Sequence, residues 1–155
     1  MAIHKLHIND FISSDYELIA INSNWDDYRL AFFLNKTLDL KLFRDYDIEL
    51  QTTNGKNLFS HFYFDDYKHD LSWHLISNKS EAAIKKQNNG LFSYLETVGY
   101  FLPEIKNADF ILKIENTDSH FNCNKTIQEI EKIQGVITLF KIEQTKLKSK
   151  NNLIF

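Results

Sequence analysis

The fold is decided by residues 108–143, which read ADFILKIENTDSHFNCNKTIQEIEKIQGVITLFKIE. Apolar side chains alternate along Ala108–Glu115, which predicts a strand. Lys125–Gln134 predicts a helix, because its isoleucines recur at helical spacing. Val136–Glu143 predicts a closing strand that is apolar on both faces. The stretch therefore predicts a strand, a helix and a second strand in that order.

The two ends of the predicted helix carry common capping residues. Asn124 is the expected N-cap, and Gly135 stands where a glycine often ends a helix. A split strand–helix–strand unit of this kind, with a Gly-Val turn after its helix, resembles half of a ferredoxin-like domain, including the regulatory amino-acid-binding kind. That resemblance covers about 36 residues. It implies a small-ligand-sensing loop at Thr117–Asn124, near the N-terminus of the helix.

The preceding part of the chain adds a second helix and further strands. Tyr16–Asn22 predicts a central strand, and Trp25–Leu38 predicts a helix. Leu58–Phe64 and Leu71–Ser77 predict two strands of a hairpin, separated by a polar loop. Together these segments predict an α+β fold, in which a mainly antiparallel sheet carries two helices packed on one face.

Length and composition indicate a single domain. The chain has 155 residues, of which 43% are hydrophobic and 25% are charged, as is typical of a globular fold. We expect one domain at 1–145 and a basic tail at 146–155. No apolar run approaches the roughly 18–20 residues that span a bilayer, and the first residues do not resemble a secretory signal. We therefore expect a cytoplasmic protein that does not enter a membrane.

A motif beginning near residue 101 carries a resemblance to a known family. Residues 101–110 read FLPEIKNADF and resemble the signature of the IPExxxVDY family, an uncharacterised bacterial family. Pro103, Glu104 and Asp109 match the identities of that signature. Leu102, Ala108 and Phe110 replace its Ile, Val and Tyr. The segments 27–35, 73–79 and 147–155 are also similar to that family. The resemblance implies no particular activity.

The same motif has a structural interpretation in physical terms. Pro103 fixes φ and suits the first position of a short helical turn, where the following Glu104 is favoured by the helix dipole. Asp109 could accept hydrogen bonds from a neighbouring turn or pair with a lysine. These features favour a turn that defines the fold, and a ligand site is the alternative.

The first predicted helix is apolar on two sides. Leu30, Leu34 and Leu38 lie on one face, and a second stripe of aromatic residues lies nearly opposite. Such a helix is either enclosed within its own fold or presents a surface to a partner. Because Trp, Tyr and Arg dominate the energetics of interfaces, the stripe is a candidate interface, formed by Trp25, Tyr28, Arg29 and Phe32.

The C-terminal segment is rich in lysine. Lys146, Lys148 and Lys150 precede an apolar Leu-Ile-Phe end and are candidate contacts for RNA. RNA-binding surfaces usually interleave aromatic residues with basic ones, and here Phe155 stands alone at the end. The segment could instead lie along a sheet edge, contact an acidic partner or extend into solvent.

Two further groups contain residue types that can bind a metal ion or act as a nucleophile. His61 and His74 fall on adjacent predicted strands and could bind a metal if Asp65 or Asp70 joined them. The alternative is two half-exposed strand histidines. Cys123, three residues after His120, precedes a helix and could be a nucleophile, although a semi-buried thiol is the simpler interpretation. We therefore predict no catalytic residue, no metal site and no cofactor.

The function expected from these features is that of a non-enzymatic cytoplasmic interaction or regulatory module. Its partner would be another protein or a second copy, which would bind through a sheet edge or the first helix. An RNA- or ribosome-associated protein and a small-ligand-sensing ferredoxin-like domain are the alternatives. DNA is not an expected partner, because the net charge is −3 and arginine, the usual base-reading residue, occurs only at Arg29 and Arg44.

Overall fold

The computed structural model of the protein describes residues 15–52, 55–85 and 94–155. Short 3-10 helices lie at Pro103–Ile105, Gln144–Lys146 and Lys150–Leu153. None of the helices in the described ranges is long and apolar enough to cross a bilayer. In chain order, the strands and α-helices are β1 (Tyr16–Ser23), α1 (Asp27–Leu38), β2 (Phe43–Arg44), β3 (Ile48–Thr52), β4 (Gly55–Phe59), β5 (His61–Asp66), β6 (Leu71–Ser77), β7 (Lys79–Lys85), β8 (Tyr94–Tyr100), β9 (Phe110–Glu115), α2 (Cys123–Glu131) and β10 (Val136–Lys141).

Within the described ranges, six strands form one sheet in the order β10-β1-β9-β6-β5-β2, and all neighbours in it are antiparallel. The hairpins β3–β4 and β7–β8 are paired separately from this sheet. Strands β9 and β10 lie on either side of β1 and are connected through α2. The predicted α+β class with a mainly antiparallel sheet is confirmed, and the ferredoxin-like resemblance stays a prediction.

Alternation along the strands directs one set of apolar side chains towards the helices. Buried Ile19 of β1 and Leu112 of β9 belong to the same core as Leu30 and Leu34 of α1 and Ile130 of α2. Both helices therefore pack on one face of the sheet, as the helical spacing of their apolar residues predicted.

The Ile130→Ala variant tests the packing of α2. Ile130 is fully buried, so we expect the variant to be less stable than the wild type by about 2–4 kcal/mol in the free energy of unfolding, as is usual for large-to-small changes in a core. The control is Lys132→Ala, since the Lys132 side chain is 65% exposed and should contribute under about 0.5 kcal/mol. Urea denaturation measures both values. Equal losses in the two variants would contradict the assigned orientation of α2.

The opposite sheet face is covered by the β3–β4 hairpin, by residues 101–108 and by the C-terminal segment. Leu147 and Leu153 are buried in this second layer. The segment predicted as a basic tail, 146–155, therefore packs on the domain and does not extend from it. The buried apolar residues of the layer are Leu18, Ala20, Ile48, Phe59, Ile76, Phe101, Leu102, Ala108, Ile111, Ile142, Leu147 and Leu153.

The ends of α2 differ from the sequence prediction. Its N-cap is Asn122, whose side chain accepts a hydrogen bond from the backbone of Lys125 at 3.0 Å, and Asn124 lies inside the helix. Gly135 does not cap the helix, which ends at Glu131. Instead Gly135 lies against the ring of Trp25, where an added Cβ would come within 2.0 Å of ring carbon. A glycine is needed at this position because the indole packs directly on the backbone.

Candidate functional site

The outer face of α1 exposes two of the predicted interface residues. Tyr28 is 65% exposed and Phe32 is 62% exposed. On the opposite face of the same helix, Leu30 and Leu34 are completely buried in the core. The alternative that the aromatic stripe is enclosed within its own fold is thus excluded for Tyr28 and Phe32, whose side chains are accessible to a partner.

Trp25 and Arg29 have a different environment from the other two stripe residues. The half-buried Trp25 ring packs against Phe33, with ring centroids 4.7 Å apart. The guanidinium carbon of Arg29 lies 4.4 Å from the centroid of the Trp25 ring, a cation–π arrangement. Arg29 is thereby held over the indole, while the indole anchors the start of α1 to the core.

A groove begins beside Tyr28 and extends across three elements. Its cavity volume is about 620 Å³. Leu58 of β4 is 52% exposed and Val98 of β8 is 42% exposed, and both line the groove together with Tyr28. Side chains that are distant in sequence, from residues 28 to 98, therefore form one exposed apolar groove, whose polar lining includes Asp27 and Lys79.

The acidic residues of the family-like motif connect neighbouring segments. Glu104 accepts hydrogen bonds from the Ser149 backbone at 2.7 Å and the Ser149 hydroxyl at 2.6 Å, and from the Lys148 backbone. Burial acts against ionisation, but these hydrogen bonds outweigh it and hold the pKa of Glu104 below its ordinary value. Asp109 accepts from the Ser23 backbone at 3.0 Å and from the Lys79 ammonium at 2.6 Å. Both carboxylates thus have structural partners.

The other motif residues are also explained by the fold. Pro103 is the first residue of a 3-10 helix, as predicted, and Leu102, Ala108 and Phe110 are buried. The interpretation of the motif as a turn that organises its surroundings accounts for all six residues.

Asn78 is a central residue of this turn, and its role was not predicted. It is completely buried, and its amide nitrogen donates to the carbonyls of Ile105 at 2.7 Å and Ala108 at 3.1 Å. Its side-chain oxygen accepts from the Leu102 backbone at 2.8 Å. One side chain therefore satisfies three backbone groups of the turn. An isolated asparagine after a strand gives no such signal in sequence.

The three predicted RNA-contact residues lie at the surface. Lys146, Lys148 and Lys150 are exposed, and the Lys146 ammonium pairs with Glu143 at 2.8 Å. Lys148 lies in the part of the chain that Glu104 holds through the backbone. These lysines are thus presented by a folded segment.

His61 and His74 form a buried pair on the sheet face opposite the helices. His61 Nε2 lies 3.0 Å from His74 Nδ1, and the two rings stack with planes 9° apart. Their exposed fractions are only 5% and 7%. The edge of the Phe155 ring contacts both imidazoles at centroid distances of 5.2 Å. Strand alternation predicted that the histidines could face each other, but the half-exposed alternative was wrong because the C-terminal segment covers them.

A carboxylate stands at each end of this pair. Asp45 Oδ2 lies 3.6 Å from His61 Nδ1, and Glu115 Oε2 lies 3.5 Å from His74 Nε2. Lys113, itself buried, donates to the second oxygen of Glu115 and to a backbone carbonyl. The arrangement is a chain of carboxylate, imidazole, imidazole, carboxylate and ammonium.

The environment sets the charge of two of these groups. Burial, followed by the neighbouring His74, lowers the pKa of His61 to about 4. The facing His74 imidazole lowers the pKa of Glu115 to about 2, with a further contribution from Lys113 and against the effect of burial. At neutral pH, His61 is therefore uncharged and Glu115 is ionised.

The His61→Gln variant tests the pH dependence that this burial implies. Between the ordinary pKa of 6.5 and the folded value of about 4, the unfolded chain binds a proton at His61 and the folded protein does not. The contribution of neutral His61 to the free energy of unfolding is therefore fully present above about pH 6.5 and is lost as the pH falls towards about 4. We expect wild-type stability to decline over this window and the variant to decline less. Urea midpoints at several pH values provide the measurement, and identical pH profiles would contradict the assignment.

The histidine pair does not have the geometry of the metal site considered from sequence. Its two facing nitrogens are within hydrogen-bond distance, which leaves no space for an ion between them. Asp65 instead accepts a hydrogen bond from Ser72 at 2.6 Å, and Asp70 lies in the exposed hairpin loop. Across residues 15–52, 55–85 and 94–155, no group of three or more His, Cys, Asp and Glu side chains could hold a metal.

The cysteine considered as a nucleophile lies in the core. Cys123 is 6% exposed and belongs to the core between the sheet and the two helices, whereas His120 is exposed. Burial raises the pKa of the Cys123 thiol. The environment agrees with the simpler interpretation that Cys123 is not a nucleophile, but the thiol is buried and not semi-buried as that interpretation stated.

Comparison of the chain with models of known protein families gives no match, and comparisons with curated proteins and with solved structures give none either. The similarity to the IPExxxVDY family rests on the sequence segments described above and stays a prediction.

Proposed function

We propose that this protein is a non-enzymatic cytoplasmic interaction module that binds another protein chain through α1. The observation that carries the proposal is the exposure of Tyr28 and Phe32 on a helix whose opposite face is already buried. The fold does not need these two aromatic side chains for its core. Large exposed aromatic residues are, however, the residues that contribute most to protein interfaces.

The surroundings of the two side chains support this function. The groove beside Tyr28 adds Leu58 and Val98 as further exposed apolar contacts. Arg29 is held over the Trp25 ring, so it loses little conformational freedom on binding a partner. An apolar centre with a charged rim is the usual composition of a protein interface.

The experiment is capture of partners from the source cell by the intact protein, with mass spectrometry and a ribonuclease-treated arm. We expect a protein partner, or a second copy of the chain, that is retained after ribonuclease and lost from the Tyr28→Ser/Phe32→Lys double variant. Truncating central aromatic residues typically weakens binding by about 2 kcal/mol or more. Circular dichroism should remain unchanged, because both positions are exposed.

The matched control is Tyr67→Ser, which removes a tyrosine that is 89% exposed in the β5–β6 loop. This control should keep the partner. Equal capture by the double variant and the control would contradict the proposal. Loss of all partners on ribonuclease treatment would favour the alternative of an RNA-associated protein that binds through Lys146, Lys148 and Lys150. The ligand-sensing alternative requires a separate binding test at Thr117–Asn124.

A further inference from the structure

The two edges of the six-stranded sheet differ in how they are protected from pairing with another chain. At one edge, β2 has only two residues, and its Arg44 forms ion pairs with Asp27 and Asp47. At the other edge, β10 has six residues, and no described strand pairs with its outer side. Short and charged edge strands resist pairing, whereas long apolar ones favour it. The β10 edge therefore lacks the protection that the β2 edge has.

The outer side of β10 presents backbone groups that point away from the sheet. The Ile142 amide donates to the Leu18 carbonyl of β1 at 2.8 Å. Because hydrogen-bonding direction alternates from residue to residue in an antiparallel strand, the amides and carbonyls of Leu139 and Lys141 point away from β1. The irregularity in the register with β1 lies at residues 136–138, so these two residues belong to the regular part of the strand. Regularly spaced donors and acceptors of this kind are satisfied by another extended strand.

The side chains along β10 are suited to contact with such a strand. Ile137 and Phe140 are exposed, and the strand has no charged residue before Lys141. A groove of about 340 Å³ follows β10 on each face of the sheet. The groove on the helix face contains Glu131 and Leu139, and the groove on the opposite face contains Phe140. A strand added at this edge would place its side chains in both grooves.

The charges beside β10 indicate that the added strand is a second copy of β10. Glu131 is exposed, and in the described part of the chain no lysine or arginine lies at ion-pairing distance from it, since the adjacent Lys132 pairs with Glu129. Lys141 lies at the other end of β10, where its half-exposed ammonium contacts Glu17 at 2.9 Å. When two β10 strands pair antiparallel, the ends are exchanged, and Lys141 of each copy comes to the groove that contains Glu131 of the other. A second copy therefore supplies the cation that complements this carboxylate.

We propose that the protein forms a two-fold symmetric dimer in which two β10 strands pair antiparallel and join the two sheets. The symmetry axis passes beside Phe140, so the two Phe140 rings meet at a non-hydrogen-bonded position, where facing side chains are closest. Leu139 of each copy forms backbone hydrogen bonds with Lys141 of the other, and no like charges face each other along the strands. None of the residues in the two grooves belongs to α1, so this interface is separate from the proposed protein-binding surface.

The experiment is sedimentation velocity of the full chain over a range of concentrations at neutral pH. We expect the wild type to form a dimer at micromolar concentrations. Phe140→Lys should raise the dimer Kd at least about tenfold, because it opposes two ammonium groups at the symmetry axis. Phe140→Leu, which keeps an apolar side chain there, and Tyr67→Lys, which adds the same charge in the exposed β5–β6 loop, should both remain dimeric. A monomeric wild type, as expected if another part of the same chain or a different protein covered β10, would overturn the proposal, and so would a Phe140→Lys variant with unchanged Kd.

Further variants test the charge complementarity and separate this dimer from contacts through α1. Glu131→Gln should raise the dimer Kd severalfold, because it removes the carboxylate that faces Lys141 of the other copy. The control, Asp39→Asn, removes one negative charge at the exposed end of α1 and should leave the Kd unchanged, so equal Kd values would contradict the pairing. The Tyr28→Ser/Phe32→Lys variant should remain dimeric, and loss of the dimer in it would overturn the assignment to β10. A second copy retained by that variant leaves the proposed function to be judged on the other captured partners, so the two proposals fail independently.

Discussion

We expect the Asn78→Ala variant to lose about 2–6 kcal/mol in the free energy of unfolding, because it leaves two buried polar groups unsatisfied and each of them costs about 1–3 kcal/mol. The substitution removes the partners of the Leu102 amide and of the Ala108 carbonyl, and one of the two partners of the Ile105 carbonyl, which keeps its hydrogen bond from the Ala108 amide. All three groups belong to the turn that contains the family-like motif. A loss of this size would remove a large share of the total stability, since domains are stable by only about 5–15 kcal/mol.

The control is Asn107→Ala, which removes an exposed asparagine from the same turn. Its loss should be below about 0.5 kcal/mol, as for most surface substitutions. Urea denaturation followed by tryptophan fluorescence measures both variants. A loss of less than about 1 kcal/mol for Asn78→Ala would mean that solvent or relaxed backbone replaces its hydrogen bonds, and it would contradict the assigned role.

The Glu115→Ala variant is expected to lose about 2–4 kcal/mol, somewhat less than the roughly 3–5 kcal/mol that follows removal of one partner of a fully buried ion pair, because the Glu115 side chain is 38% exposed. Lys113 is 5% exposed and would keep only the Leu153 carbonyl and nearby aromatic rings as partners. An ammonium without a carboxylate in this layer is strongly destabilising. Urea denaturation at neutral pH provides the measurement.

A double variant distinguishes this explanation from simple loss of packing. In Lys113→Met/Glu115→Ala, the buried charge is absent, so we expect part of the stability to return relative to Glu115→Ala. The exposed Glu131→Ala serves as the control and should be close to wild type. A double variant that is less stable than Glu115→Ala would show that the ammonium itself is favourable without its partner, contrary to our account.

Local periodicity predicted much of the framework. The helical spacing around Leu30, Leu34 and Ile130 correctly indicated the buried faces of α1 and α2. Period-two alternation indicated that His61 and His74 could meet on adjacent strands. These features depend on neighbours within a few residues, so a sequence pattern records them.

The unpredicted features depend on contacts between distant segments. Asn78 binds backbone groups 24–30 residues away, and Glu104 binds a segment 44–45 residues away. For the segment that contains Leu147 and Leu153, the sequence left a sheet-edge contact and a solvated tail both open, because it does not show which part of the fold the apolar Leu-Ile-Phe end meets. The carboxylates beside the histidine pair, Asp45 and Glu115, were not identified either, because neither of them is next to a histidine in the sequence.

Photo-crosslinking from α1 tests the proposed function most directly. The substitution Tyr28→p-benzoylphenylalanine places a photoreactive group at the exposed stripe, and the same substitution at Tyr67 is the control at a similarly exposed position. We predict that irradiation of intact cells gives a ribonuclease-resistant adduct with a protein chain from position 28 and much less from position 67. An adduct with RNA from position 28, or equal protein adducts from both positions, would contradict the assignment of α1 as the interaction surface.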